Sequence, residues 1–284
     1  MSQGGDSYLS ACGRGAQQGG AQPEHGFGEE ARSRKGRVAI VTGASRGIGR
    51  AIASGLGEDG FCLVVNYRER KREAQQLVEA ISSGGREVRA VRADVGTAGA
   101  AEKLVKVALD AFGQIDVLVN NAGTHLPGVR FADVRAEDWK RILRVNLTGP
   151  FSLIQAVLPH MRARRSGVII NISSNVTQRF PAMYGPYTVS KCGLEALTRI
   201  LAKEEGINGI RVNAIAPGPI ATDMLQESLE VMGPERAEAF IRSVPLQRLG
   251  RPEEIASAVC FLVSEAASYI TGQVIFVNGG GPAG

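Results

Sequence analysis

Residues 37–50 read RVAIVTGASRGIGR, and this stretch decides the fold prediction. It begins with a short apolar, β-branched run that is typical of a buried strand, and it continues into a turn with Gly43, Gly47 and Gly49. A helical pattern follows from about residue 48. Glycines let the backbone turn tightly, and the amides at a helix N-terminus attract a pyrophosphate group. We therefore predict a phosphate-binding turn between the first strand and the first helix.

The same alternation of short strand and longer helix continues to the C-terminus. The predicted strands are RVAIVT (37–42), FCLVVN (61–66), EVRAVRA (87–93), IDVLVN (115–120), GVIINIS (167–173), IRVNAIA (210–216) and QVIFVN (273–278). Helical patterns lie at about 48–58, 69–83, 98–112, 136–163, 187–206 and 252–264. Several strands are apolar throughout, as expected when helices cover both faces of a parallel sheet. The pattern predicts one doubly wound α/β domain with seven parallel strands.

The composition is ordinary for a soluble globular protein, with 44% hydrophobic and 21% charged residues in a chain of 284. No apolar run approaches the roughly 18 residues needed to cross a membrane. The first 36 residues are rich in Gly, Gln and Ser and lack apolar periodicity and a secretory apolar segment, so we expect a flexible tail before a catalytic domain at 37–284. The net charge of +5 is too diffuse to indicate nucleic-acid binding.

Cysteines and histidines are few and widely spaced. They are Cys12, Cys62, Cys192, Cys260, His25, His125 and His160. This spacing fits neither a disulfide framework nor a metal site, so we expect free thiols and a cytoplasmic protein.

Residues 217–245 interrupt the alternation, because this segment holds four prolines and no strand pattern. It follows the sixth strand, at the sheet edge where ligands bind in such folds. We predict a substrate lid there; the alternative is a pair of packed surface helices.

Several short motifs occur in order along the chain. They are TGASRGIG (42–49), NNAG (120–123), Asn146, ISS (172–174), YTVSK (187–191) and PGPIAT (217–222). In content and spacing they resemble the classical short-chain dehydrogenase/reductase family over residues 36–284. The resemblance implies a Rossmann-type fold and hydride transfer between a nicotinamide coenzyme and a carbonyl carbon or an alcohol.

The glycine turn and the family pattern together predict the coenzyme contacts. These are Gly43, Ser45, Arg46, Gly47, Ile48, Gly49, Tyr67, Arg68, Asp94, Val95, Asn120, Ala122, Gly123, Tyr187, Lys191, Pro217, Gly218, Ile220 and Thr222. By the resemblance, Asp94 accepts from the adenine amine; alternatively it caps a helix after its strand.

The end of the second strand predicts NADPH rather than NADH. An acidic residue there would bind the ribose hydroxyls of NADH, but Asn66, Tyr67 and Arg68 occupy the position. Arg46 stands where family members often reach the 2′-phosphate, and a guanidinium suits bidentate phosphate contact. The alternative is two solvated surface arginines, and the nearby Glu69 weakens the phosphate interpretation.

Tyr187 and Lys191 lie four residues apart, so a helix places them on one face. Cations near a phenol lower its pKa, and we therefore predict that Lys191, together with an oxidised nicotinamide, makes Tyr187 a usable general acid and base. By the resemblance, Ser174 hydrogen-bonds the substrate oxygen, whereas Ser173 points to the other face of the strand. Asn146 resembles the fourth catalytic residue, which holds a water near the lysine.

Within the family, four segments look most like 3-oxoacyl-[acyl-carrier-protein] reductases: GGREVRAVRADV (84–95), VNLTGPF (145–151), GIRVNAIAPGPIATDM (209–224) and the stretch 244–280. That subgroup reduces a ketoacyl thioester on an acidic carrier protein, and Arg165, beside Arg162 and Arg164, matches a basic docking position. A second basic position is Asn208 here. Other readings are a reductase of sugars, steroids, quinones or polyketide ketones, and a non-catalytic NADPH-binding regulator. Family analogy implies a homotetramer assembled through the helices near 98–112 and 136–163 and the final strand.

Overall fold

The computed structural model describes residues 36–281, which lie in one compact unit, Gly36–Gly284. The predictions for residues 1–35 lie outside the described residues. The structure forms a single sheet of seven parallel strands in the order β3-β2-β1-β4-β5-β6-β7. The strands are β1 Val38–Val41, β2 Cys62–Tyr67, β3 Val88–Arg92, β4 Val117–Asn120, β5 Gly167–Ile172, β6 Ile210–Pro217 and β7 Val274–Val277. The predicted doubly wound parallel sheet is confirmed.

Helices connect successive strands. They are α1 Gly47–Glu58, α2 Lys71–Ser83, α3 Ala100–Phe112, α4 Ala136–Leu143, α5 Gly149–Arg164, α6 Val176–Arg179, α7 Gly185–Glu205, α8 Asp223–Met232, α9 Pro234–Arg242 and α10 Pro252–Val263. The helix predicted over 136–163 is divided by a π-helical turn at Arg144–Thr148. Apolar spacing did not reveal this turn, because one inserted residue shifts the pattern only slightly.

Two apolar clusters bury the faces of the sheet. On one face, Ile52, Leu56, Leu77 and Val259 pack from α1, α2 and α10. On the other face, α3, α5 and α7 contribute residues such as Leu104. Helices cover both faces of the sheet, so ligands of such folds bind beyond the carboxyl ends of the strands. The strand order reverses between β1 and β4, which creates a crevice there.

Candidate functional site

A cavity of about 540 Å³ opens at the carboxyl ends of the central strands. Among the predicted coenzyme contacts, it is lined by Gly43, Ser45, Arg46, Gly47, Ile48, Gly49, Arg68, Asp94, Val95, Ala122, Gly123, Tyr187, Lys191, Pro217, Gly218, Ile220 and Thr222. Ser174 lines the same cavity. The fold therefore brings most of the predicted site together, whereas Tyr67, Asn120 and Asn146 do not line the cavity.

The glycine turn leaves room for a ligand against the backbone. Gly43 and Gly47 have positive φ angles of 62° and 54°, which L-residues with side chains rarely adopt. A Cβ on Gly49 would lie 2.3 Å from Asn121 Nδ2 and 2.4 Å from the Gly43 oxygen. No side chain caps the N-terminus of α1, so its first amides are not taken by a cap. This cradle fits a dinucleotide pyrophosphate.

At the ends of β2 and β4, two predicted coenzyme contacts do not line the cavity, whereas their neighbours in the chain do. Asn120 is buried and donates from Nδ2 to Asn171 Oδ1 at 2.9 Å, whereas Asn121 lines the cavity. Tyr67 is likewise buried away from the cavity, and Asn66 lines it instead. Successive side chains of a strand point to opposite faces of the sheet, so two neighbouring strand residues do not both present their side chains to the cavity.

Asn66 and Asn121 fix the glycine turn between two strands. Asn66 Oδ1 accepts from the Gly43 amide at 3.2 Å, and Asn121 Nδ2 donates to the Thr42 oxygen at 2.8 Å. The Thr42 hydroxyl accepts in return from the amides of Asn121 and Ala122 at 2.9 and 3.0 Å. The turn is therefore held by hydrogen bonds that need no ligand.

Three arginines lie at the far end of the turn, and sequence reasoning missed Arg70. Arg46 and Arg70 share the carboxylate of Asp223, with N···O distances of 2.5 and 3.1 Å. Arg68 pairs with Glu69 at 2.8 Å. All three arginines line the cavity and remain about half-exposed, so they are ion-paired surface residues that a phosphate can still reach.

Asp94 lines the cavity and also stabilises the turn that follows β3. Its Oδ1 accepts from the Gly96 amide at 2.9 Å, which stabilises the turn after β3. One carboxylate oxygen is thus used by the turn.

Tyr187 and Lys191 lie one turn apart on α7. The Lys191 Nζ atom is 5.6 Å from the centre of the Tyr187 ring and donates to the Ile172 oxygen at 2.7 Å. Burial raises the pKa of Tyr187 to about 12, although a hydrogen bond with Ser174 acts in the opposite direction. In the chain without coenzyme, desolvation thus outweighs the effect of the neighbouring side chains, and a lowered pKa beside a bound oxidised nicotinamide stays a prediction.

Burial also lowers the pKa of Lys191 to about 8, and the carboxylate of Glu195 partly opposes this shift. The ammonium form is consequently favoured only below that pH. The sequence could not reveal either shift, since both depend on how deeply the helix is buried.

The two adjacent serines have different partners, as the spacing predicted. Ser173 Oγ donates to the buried carboxylate of Glu195 at 2.7 Å, so its hydroxyl is engaged inside the protein. Ser174 Oγ accepts weakly from the Val176 amide at 3.4 Å and lies against Tyr187. Ser174 is therefore the serine whose hydroxyl can meet a ligand.

Asn146 lies within the π-helical turn and is completely buried. Its Nδ2 donates to the Thr124 oxygen at 2.8 Å and to Ser190 Oγ at 3.0 Å, while its Oδ1 accepts from the Thr124 amide at 2.8 Å. The side chain therefore holds the loop after β4 against α7.

The predicted lid region, residues 217–245, folds as α8 and α9. Thr222 caps α8 by accepting from the Leu225 amide at 3.3 Å. Met224, Ser228, Met232 and Phe240 of these helices line the cavity. The segment is thus a helix pair whose side chains line the cavity, and its action as a substrate lid stays a prediction.

His125 joins the loop after β4 to α8, a contact that sequence reasoning missed. Its Nε2 is 3.1 Å from Ser228 Oγ, and its ring lies edge-on to Tyr187 with 6.2 Å between the ring centres. Burial lowers the pKa of His125, so the neutral imidazole is favoured at pH 7. No signal in the sequence distinguished this histidine from the others.

The predicted basic docking patch is smaller than expected. Arg162 pairs with Glu205, and Arg164 pairs with Asp116 at 2.6 Å. Arg165 is exposed and donates to the Ile207 oxygen at 2.8 Å. Of the three cations, Arg165 alone has no ion pair with a described residue.

Between residues 36 and 281, no cluster of three His, Cys, Asp or Glu side chains could hold a metal ion. Over the same range, no helix is both long and apolar enough to cross a membrane.

Known proteins are similar to this chain in sequence and in fold. Residues 43–281 match the family model adh_short_C2, described as Enoyl-(Acyl carrier protein) reductase. A 3-oxoacyl-[acyl-carrier-protein] reductase FabG of Staphylococcus aureus (strain Mu50 / ATCC 700699) is 41% identical over 86% of this chain and 97% of its own length. Glucose 1-dehydrogenase 2 of Bacillus subtilis (strain 168) is 40% identical over 86% and 94%.

Among solved structures, a 7 alpha-hydroxysteroid dehydrogenase complexed with NADH and 7-oxo glycochenodeoxycholic acid has a TM-score of 0.82 and 36% identity. The match covers 87% of this chain and 94% of that one. The family match spans most of the chain, and the glycine turn, Ser174, Tyr187 and Lys191 meet at one cavity. The chain therefore belongs to the short-chain dehydrogenase/reductase family of NAD(P)H-dependent oxidoreductases.

Proposed function

We propose that this enzyme reduces a ketone to a secondary alcohol with NADPH. The observation that carries the proposal is the meeting of Ser174, Tyr187 and Lys191 with the glycine turn in one cavity. A reduced nicotinamide held by these residues would supply hydride to the carbonyl carbon. The protein supplies the proton and the orientation of the carbonyl group.

Tyr187 is the proton donor in this mechanism. Its pKa of about 12 keeps the phenol protonated at neutral pH, which suits the direction of reduction. As the carbon–hydride bond forms, the carbonyl oxygen gains charge and takes the proton of Tyr187. The Ser174 hydroxyl, which already lies against the phenol, donates a hydrogen bond to the same oxygen.

Lys191 stabilises the phenolate that remains after proton transfer. Its ammonium group lies 5.6 Å from the ring centre and is favoured below pH 8. Asn146 acts as a positioning residue, because its side chain bonds Thr124 and Ser190 and does not line the cavity. Whether its neighbourhood also holds a relay water stays a prediction from the family resemblance.

The arginines at the end of the turn support NADPH as the coenzyme. No carboxylate stands at the end of β2, where Asn66 lies, and Arg46, Arg68 and Arg70 line that end of the cavity. A 2′-phosphate would bind these cations by displacing or joining the carboxylate of Asp223.

Arg46→Gln tests the coenzyme preference. Charge-assisted hydrogen bonds contribute about 1.5–3 kcal/mol, so we expect NADPH to bind about tenfold or more weakly while NADH affinity is unchanged. Arg199→Gln, at an exposed position on α7, is the matched control. Equal loss for both coenzymes would show that Arg46 does not select the phosphate.

We infer a 3-oxoacyl thioester as the substrate, because relatives at about 41% identity carry that activity in their names. The similarity to a glucose dehydrogenase keeps other carbonyl substrates as the second candidate. The exposed Arg165 supports docking of an acidic carrier protein, although Asn208 removes the second basic position.

A coenzyme-oxidation assay with acetoacetyl thioesters and a panel of other ketones separates these possibilities. Turnover of the thioesters supports the first, and turnover of other ketones alone supports the second. NADPH binding without any turnover would contradict the proposal and indicate a non-catalytic regulator.

We also propose a cytoplasmic homotetramer. Phe151 on α5 and Phe276 on the edge strand β7 are exposed large apolar residues, as expected for surfaces that meet other subunits. The free thiols of Cys62, Cys192 and Cys260 fit a reducing compartment. Sedimentation at four times the mass of the chain is the expected result, and a monomer would contradict it.

A further inference from the structure

Arg179 is a cation in the substrate part of the cavity that the proposed reaction does not use. It ends α6, five residues after Ser174, and it lines the cavity together with Tyr184 and Phe240. The hydrogen bonds from Thr177 to Ser174 and from Phe180 to Val176 make this segment one continuous helical turn. Arg179 is therefore rigidly connected to the serine that faces the carbonyl group.

The Arg179 guanidinium has no anionic partner among the described residues. Its Nε atom is buried and makes no hydrogen bond, and no carboxylate of residues 36–281 lies within 4.0 Å of it. The acidic residues of the lid that line the cavity have other neighbours. Asp223 pairs with Arg46 and Arg70, and Glu227 lies 3.9 Å from His125 Nδ1.

The Arg179 guanidinium lies over an aromatic ring. Its guanidinium carbon lies 5.4 Å from the centre of the Phe240 ring, and Pro181 and Met232 line the same cavity. Burial lowers the pKa of Arg179, which reflects the loss of water around the charge. Desolvation is unfavourable for an unpaired cation, and it strengthens the attraction for an anion that enters the cavity.

We propose that Arg179 binds an oxyanion carried by the substrate, so that the enzyme selects ketones with an acidic group. The inference rests on the proposed ketone reduction and adds the substrate class. Ser174 and Arg179 are five positions apart in the chain and line the same cavity, so one small ligand can meet both side chains.

Two sources could supply the oxyanion, a carboxylate of the ketone itself or a phosphate of a thioester carrier. The short spacing favours the carboxylate, because the pantetheine arm places many bonds between its phosphate and the thioester. Both sources present oxygens that a guanidinium fork binds in a bidentate manner.

The test compares anionic and neutral forms of one carbon skeleton in the full-length enzyme with NADPH. Levulinate and its longer straight-chain homologues are each paired with their methyl esters. Acetoacetyl coenzyme A is paired with acetoacetyl-N-acetylcysteamine. We expect the acids to exceed their esters in kcat/KM by about tenfold or more. Arg179→Met should remove this preference by raising KM for the acids, while kcat and the constants for the esters stay unchanged.

Arg242→Met is the matched control, because Arg242 lies on α9 but does not line the cavity. Arg179→Lys should restore part of the preference. A loss confined to the coenzyme A thioester would support the oxyanion site and assign its ligand to the carrier phosphate. Wild-type enzyme that reduces esters as well as acids, or an Arg179→Met variant that keeps the preference, would overturn the inference. These outcomes differ from failure of the proposed function, in which wild type reduces no ketone at all.

Discussion

The cavity has two halves that are built in different ways. The coenzyme half consists of backbone turns at the ends of β1, β2 and β4, and hydrogen bonds from Thr42, Asn66 and Asn121 hold these turns. The proposed substrate half consists of side chains from α6, α8 and α9, and side-chain contacts join it to the rest of the site, such as those of His125 with Ser228 and of Arg46 with Asp223. Backbone geometry constrains sequence strongly, whereas a lining of side chains can change without disturbing the sheet. The difference explains why one fold serves many substrates.

The proposed catalytic side chains lie where the two halves meet, and removing one of them has the largest expected effect on turnover. Tyr187→Phe deletes the proposed proton donor, and general acid catalysis typically contributes a factor of 10²–10⁴. We expect kcat to fall by about that factor while NADPH still binds, measured by coenzyme oxidation and by fluorescence titration. Tyr269→Phe, at a fully exposed position, serves as control. Undiminished turnover in Tyr187→Phe would remove the phenol from the mechanism.

Gly49→Ala tests the rigidity of the coenzyme half. The added Cβ would meet Asn121 Nδ2 at 2.3 Å and the Gly43 oxygen at 2.4 Å, and overpacking costs about 1–3 kcal/mol. We expect a lower Tm and much weaker NADPH binding. Gly206→Ala is the matched control, because nothing lies within 4 Å of its added Cβ. A normal Tm and normal NADPH affinity in Gly49→Ala would show that the turn is more adaptable than its contacts indicate.

Lys191 makes the stability of the folded protein depend on pH. Its folded pKa of about 8 is below the ordinary value of 10.5, so between these values the unfolded chain binds more protons than the folded one. The free energy of unfolding therefore rises with pH in this window. Above pH 10.0, the ordinary pKa of tyrosine, Tyr187 has the opposite effect, because its phenol keeps its proton in the folded chain at a pH where the unfolded chain has lost it. We expect the Tm of wild type, relative to Lys191→Met, to rise between pH 8 and 10. A constant difference would show that the lysine is not desolvated.

Ser228→Ala tests the contact between His125 and α8 and has the smallest expected effect on activity. It removes the contact with His125 Nε2 at 3.1 Å, and such a hydrogen bond contributes about 1 kcal/mol. We expect KM for the ketone to rise about fivefold with little change in NADPH affinity. The control is Ser257→Ala, an exposed position on α10. A large loss of NADPH binding would mean that the two halves are not independent.

The same contrast decides what the sequence could predict. Strand and helix periods located every strand, and the glycine turn located the coenzyme half, because both depend on local patterns of residues. Asn66 and Asn121 line the cavity beside the predicted contacts Tyr67 and Asn120, because the face that each strand residue presents depends on the register to one position. The raised pKa of Tyr187 could not be predicted from its spacing to Lys191, because burial is a property of the assembled fold.

The substrate half was the least predictable part. Arg179 and Phe240 are 61 positions apart in the chain and meet only when α9 lies over α6. His125 and Ser228 are likewise distant in sequence. No spacing rule connects such pairs, so the sequence located the lid region without revealing which side chains it presents.

The carboxylate of Asp223, shared by Arg46 and Arg70 at the start of α8, has a consequence for affinity measurements. A phosphate that binds these guanidinium groups exchanges one anion for another, so its measured dissociation constant reports a difference between two sets of contacts. Neutralising that acid as Asp223→Asn would expose the gross strength of the cationic pair. Coenzyme titrations of this variant would then measure phosphate binding without competition from the Asp223 carboxylate.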